Sequence, residues 1–115
     1  MSDGPAPELF SCDVVRNDGH DWVRPEGDLD LDTVHRVESA LGALRDEGAG
    51  NLVLDLRGLT FMDSTGLRLV IRWHTAARDE GFRFAIVPGP DVVQRVFRLT
   101  GMDAHLPVAE PPSGT

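Results

Sequence analysis

Apolar residues recur at two different spacings along the chain, and the switches between those spacings lay out its elements. Residues 9–16 alternate, with Phe10, Cys12 and Val14 on one face, as a half-buried strand does. Asn17-Asp18-Gly19 then supplies a tight turn, Asp-Gly being a strong hairpin signal, and residues 20–24, with Trp22, return as a second strand. Gly27-Asp28-Leu29-Asp30 ends that strand. From Leu31 the step changes to three and four. Leu31, Val34, Val37, Leu41 and Leu44 share a stripe, which predicts a helix over 31–47, capped by Asp30 or Asp32 and stopped by Gly48 and Gly50. Leu52, Val53, Leu54 and Leu56 form a short apolar run, the pattern of a strand covered on both faces. A brief loop carrying Phe61 and Met62 leads to a second helix over 64–80. There Leu67, Val70, Ile71, His74 and Ala77 share the inner face, Leu69, Trp73 and Ala76 widen it, and Arg68, Arg72 and Arg78 stay wet. Residues 82–87 form another strand, and Pro88-Gly89-Pro90 breaks the chain. Asp91 opens a third helix with Val92, Val93, Val96, Phe97 and Leu99 inward. Residues 106–109 add a short edge strand, the one setting where Pro107 is tolerated.

The order is therefore β-β-α-β-α-β-α with a last edge segment. Strands separated by helices run parallel through right-handed crossovers, while the opening hairpin makes the sheet mixed. The fold class is α/β: a mixed sheet of four to five strands with helices mainly on one face. The other face is left partly wet or to be covered by a partner. The 115 residues suit one domain over 9–109, with flexible Pro/Gly-rich tails at 1–8 and 110–115. Net charge is −8, which argues against nucleic acid or an anionic membrane as partner. A single cysteine, Cys12, forms no internal disulfide and fits a buried structural role in a reducing, cytoplasmic setting. No signal peptide and no membrane-spanning run is evident.

The chemistry concentrates at Asp63 and Ser64. Both present oxygen acceptors just before a helical pattern, which is N-cap chemistry. Ser64 thereby puts one small hydroxyl at the positive end of a helix dipole, where free N–H groups favour an anion. No general base, metal cluster or glycine-rich nucleotide loop accompanies it, and Gly-x-Ser-x-Gly is absent, so an enzyme is not expected. The four histidines lack metal-ligand spacing, and Asp28, Asp30 and Asp32 lack the glycine and terminal glutamate of a calcium loop; no metal or cofactor is expected. A lone serine in this place is better suited to carry a phosphate than to attack a substrate.

Phe61-Met62-Asp63-Ser64-Thr65-Gly66-Leu67 resembles the signature of STAS domains, in the bacterial anti-sigma factor antagonist branch. Three further stretches agree: Gly27-Asp28-Leu29-Asp30, the strand leading to Gly58, and Val96-Phe97-Arg98-Leu99-Thr100-Gly101-Met102. Asp28 stands where the family usually has Glu, and no further C-terminal helix pattern follows the third. The resemblance implies a partner switch. The unmodified form binds an anti-sigma factor that is itself a serine kinase of the histidine-kinase-like ATPase class, which frees the sigma factor. That kinase, using ATP and Mg²⁺, phosphorylates Ser64, with Thr65 the competing acceptor, and a PP2C-type phosphatase reverses it. Asp28, Asp30, Asp63, Ser64, Thr65, Gly66 and Leu67 are the implied partner-binding residues. The alternative role is a STAS scaffold or ligand-binding subunit in a stress-sensing or transport assembly.

Overall fold

The computed structural model describes residues 9–17 and 19–109; the expected tails and Asp18 of the expected turn lie outside them. Strands β1 (Ser11–Asn17) and β2 (His20–Leu29) form the antiparallel hairpin, in register from Ser11 opposite Glu26 to Asn17 opposite His20. Helix α1 (Val34–Asp46) follows, then β3 (Asn51–Asp55), β4 (Leu59–Met62), helix α2 (Ser64–Glu80), β5 (Arg83–Val87) and helix α3 (Asp91–Thr100). The sheet order is β1-β2-β3-β5, parallel beyond the hairpin, with β4 also paired to β2. After α3 and a short 3₁₀ turn, Val108 bridges Ile86, so the expected edge segment does lie along β5.

Strand β4 replaces the loop expected around Phe61 and Met62. Its existence follows from β2, which is long enough to serve two neighbours in succession. Asp21–Val23 pair with β3, and Gly27–Leu29 pair with β4 after a register shift at Gly27. Gly27 has φ +108°, and a Cβ there would fall 2.3 Å from the Leu9 carbonyl oxygen, so only glycine makes this bend. The Gly27 N–H donates to the Gly58 carbonyl at 3.1 Å and ties the bend to the start of β4.

The buried side chains of α1, α2 and α3 share one core with Val23, Leu52, Leu54, Phe84 and Ile86, so the helices cover one face. On the other face Trp22, Val53 and Val87 form a smaller apolar cluster with Val15 and Ala109 packed against it. Three expected inward positions are corrected. Leu31 precedes α1 and is 75% exposed, and Leu99 on α3 is 76% exposed, because no element reaches over either helix end. Val92 is also exposed, leaving Val93 and Phe97 as the buried residues of α3.

Candidate functional site

Helix α2 begins where β4 ends, at the carboxyl end of the parallel strands, the usual place for a site in an α/β sheet. Asp63 is its N-cap. Its backbone N–H donates to the Leu29 carbonyl at 3.3 Å, which fixes the helix start to the end of β2. The Asp63 carboxylate accepts from the Thr65 N–H at 2.8 Å and the Gly66 N–H at 3.3 Å, and its carbonyl accepts from Leu67. Ser64, the first helical residue, is exposed. The capping chemistry expected of the Asp63–Ser64 pair therefore falls to Asp63 alone. The expectation of free N–H groups is corrected as well: an internal carboxylate already occupies two of them.

Asp28, Asp30 and Asp63 come together because Asp28 sits opposite Phe61 and Leu29 opposite Met62. Thr60 donates its hydroxyl to Asp28 at 2.6 Å. The Asp30 carboxylate accepts the Asp32 N–H at 3.0 Å, while the Asp30 N–H donates to the Thr33 hydroxyl at 3.0 Å. These bonds make a turn rather than a helix cap. Thr33 holds the N-cap position of α1, but its hydroxyl is engaged in this turn and caps no N–H of the helix, which corrects the capping expected of Asp30 or Asp32. The result is an acidic rim beside Ser64.

Two of the expected contact residues do not lie at the surface. Gly66 and Leu67 are buried. A Cβ on Gly66 would lie 2.5 Å from the Met62 side chain and 3.1 Å from Leu29, so this glycine lets α2 close onto β2 and β4. Two residues missed in the sequence take their place at the surface: Leu31, and Phe61 at 43% exposure. Both are large apolar side chains next to the acidic rim, a composition suited to protein contact. The sequence marks neither as exposed: Leu31 continues the apolar stripe of the first helix, and Phe61 sits in a run too short to show a period.

The most perturbed carboxyl lies elsewhere. Asp55, at 3% exposure, is on the sheet face away from the helices. Burial alone pushes its pKa up, but hydrogen bonds from Arg57, at 2.7 Å from Nη2, and the charges of Arg57 and Arg24 outweigh that and hold it below the ordinary value. Arg24 Nε and Nη2 are buried without a hydrogen bond, so Asp55 compensates a charge that would otherwise stand alone. Cys12 is half-buried against the core, and burial pushes its thiol up to about 11 despite Arg36, as suits a structural cysteine. Among the described residues no cluster of His, Cys, Asp or Glu could hold a metal ion, and no helix is long and apolar enough to cross a membrane.

Known proteins share this fold. A family model described as "Mlab, STAS domain" matches residues 12–108. The anti-sigma-B factor antagonist of Staphylococcus aureus (strain NCTC 8325 / PS 47) is 31% identical over 88 residues, spanning 76% of this chain and 82% of that protein. The crystal structure of an anti-sigma factor antagonist from Mycobacterium paratuberculosis is 29% identical and superposes with a TM-score of 0.74, covering 92% of this chain and 90% of that one. The anti-sigma factor antagonist SpoIIAA in its unphosphorylated form shares the fold, with a TM-score of 0.69 at 22% identity over 88% of each chain. The family model, the sequence identity and the mixed five-stranded sheet with three helices agree: this chain belongs to the STAS domain proteins, in their anti-sigma factor antagonist branch.

Proposed function

We propose that the chain is an anti-sigma factor antagonist working by partner switching, with Ser64 as the switch. The observation that carries this reading is an exposed hydroxyl on the first residue of a helix whose next N–H groups are already bonded to Asp63. The relative from Staphylococcus aureus, an anti-sigma-B factor antagonist, supports the anti-sigma partner. In this reading the unmodified surface of Asp28, Asp30, Asp63, Ser64 and Thr65, with Leu31 and Phe61 as apolar contacts, docks on an anti-sigma factor of the histidine-kinase-like ATPase class. The partner's ATP and Mg²⁺ supply the phosphoryl group, a PP2C-type phosphatase removes it, and the chain itself acts by binding rather than catalysis.

A phosphate on Ser64 brings a charge of about −1.5 to −2. The Asp63 carboxylate already fills the cradle it would need, so the phosphate stays at the surface beside like charge. Arg68, exposed and four residues on, is the one cation that α2 spaces to meet it. The scaffold is left as it was, and the loss falls on docking.

The test is calorimetric titration of the cognate anti-sigma kinase with the chain before and after phosphorylation, the site being located by mass spectrometry. Phosphorylation at Ser64 is expected to weaken binding about a hundredfold or more, with an unchanged circular dichroism spectrum. Ser64→Ala keeps binding and accepts no phosphate. Equal affinity of both forms, or phosphate found only on Thr65, rejects the assignment.

A further inference from the structure

At the far end of α2 from Ser64 the surface has a different character. The amino ends of β3 and β5, the last turns of α2 and the segment 107–109 surround a cavity of about 650 Å³. That size is within the range of small-molecule sites. It exists because the chain returning after α3 joins the sheet only at one point. The Ile86 N–H donates to the Pro107 carbonyl at 3.0 Å and the Ala109 N–H to the Ile86 carbonyl at 2.8 Å, while the small side chains of Ala77 and Ala85 leave the space beside them unfilled. Its lining is mainly apolar: Trp22, Val53 and Phe84 are buried side chains that contribute to it.

Two guanidinium groups, Arg78 and Arg83, also line this cavity and are exposed. Among the described residues neither side chain has an ion pair or a hydrogen bond. Arg68 and Arg95 are likewise unpaired among the described residues, but neither lines the cavity. Six other arginines, Arg16, Arg24, Arg45, Arg57, Arg72 and Arg98, all reach a carboxylate. Arg78 also lies in the last turn of α2, where a cation suits the dipole. Arg83, at the start of a strand, has no such local reason.

We infer that this cavity binds a small amphipathic carboxylate, its apolar body against Trp22, Val53 and Ala85 on the face away from the helices and its head on the Arg78 and Arg83 guanidiniums at the rim. Apolar walls with a few donors at the rim are what such a ligand needs, and a guanidinium pairs with a carboxylate through two parallel hydrogen bonds. The site is separate from the Ser64 surface and does not depend on the partner-switch reading.

The experiment is a titration of the full chain, labelled with ¹⁵N, with octanoate and with uncharged octanamide, followed by two-dimensional NMR. Octanoate is expected to give saturable shifts at Trp22, Val53 and Ala85. Octanamide should bind about tenfold more weakly or worse, because it lacks the charge-assisted bonds. The double variant R78Q/R83Q should lose that preference while keeping the octanamide affinity; each single variant, checked by thermal melting, should lose part of it. Shifts at Ser64, Leu31 or Phe61 instead, no saturation, or equal binding of the two probes overturns the proposal. So do cross-peaks that move with protein concentration rather than with octanoate, which mean that a second copy of the chain fills the cavity.

Discussion

The two ends of helix α2 handle charge in opposite ways. At its start the polar groups satisfy one another: Asp63 holds two N–H groups of the helix, Asp30 holds its own turn, and Thr60 holds Asp28. At its end the side chains of Arg78 and Arg83 flank an apolar hollow and have no partner among the described residues. A surface whose groups are already satisfied gains little from a small ion but can be read by a shaped protein partner. A hollow edged by unengaged donors suits a small molecule instead. One helix thus sets the acidic rim about 20 Å from the hollow, from a rise of about 1.5 Å per residue.

The harshest way to break this division is to remove what both ends share, the bend in β2. Gly27→Val puts a branched side chain at a positive φ and against a backbone oxygen, and should cost about 3 kcal/mol in urea unfolding. Loss of both binding activities together is expected, whereas a variant as stable as the parent would show that the bend is not structural. Asp55→Asn comes next, because it leaves the buried Arg24 donors without their counter-charge. A loss of about 1–3 kcal/mol at neutral pH is expected. The pH dependence has a defined sign. The folded carboxyl ionises below 3.8, so its contribution is complete above that pH and falls away as pH drops through the folded value. Acid melts of the parent should therefore lose stability more steeply below pH 3.8 than those of Asp55→Asn. Asp63→Ala strips the cap from one end only and should cost about 1 kcal/mol, with NMR shifts confined to the first turn of α2 and none at Trp22. At the other end, R78Q/R83Q should stay within about 0.5 kcal/mol of the parent, as exposed unpaired side chains allow. A larger loss there would mean that those arginines support the fold.

The hairpin, α2 and β3 were legible because their apolar spacing and turn residues agree with one another. Trp73 was also placed correctly in the core, where Glu38 accepts its indole N–H at 2.7 Å. Strand β4 was not legible. Four residues carry little periodicity, and their pairing depends on how far β2 extends past Gly27, which is a tertiary fact. Leu31 and Leu99 continue their helical stripes perfectly well, yet a stripe cannot tell where its covering neighbour stops. The serine helix start was found, but the division of labour within it was not. Asp63 and Ser64 are both good capping residues, and only the backbone path decides which one turns its oxygen onto the N–H groups. The cavity left no sequence signal, because Ala85 and Arg83 become neighbours of Trp22 only once the sheet is assembled.

The two tryptophans divide between the faces of the sheet. Trp73 lies under Arg45, whose guanidinium carbon is 5.0 Å from its ring, within the helix-covered core. Trp22 is in the opposite cluster, beside His20 with ring centroids 5.9 Å apart. The molecule therefore carries two built-in optical probes in unlike settings. With Trp73→Phe, ultraviolet emission becomes a report on the hollow alone; with Trp22→Phe, it follows only the packing beneath the helices.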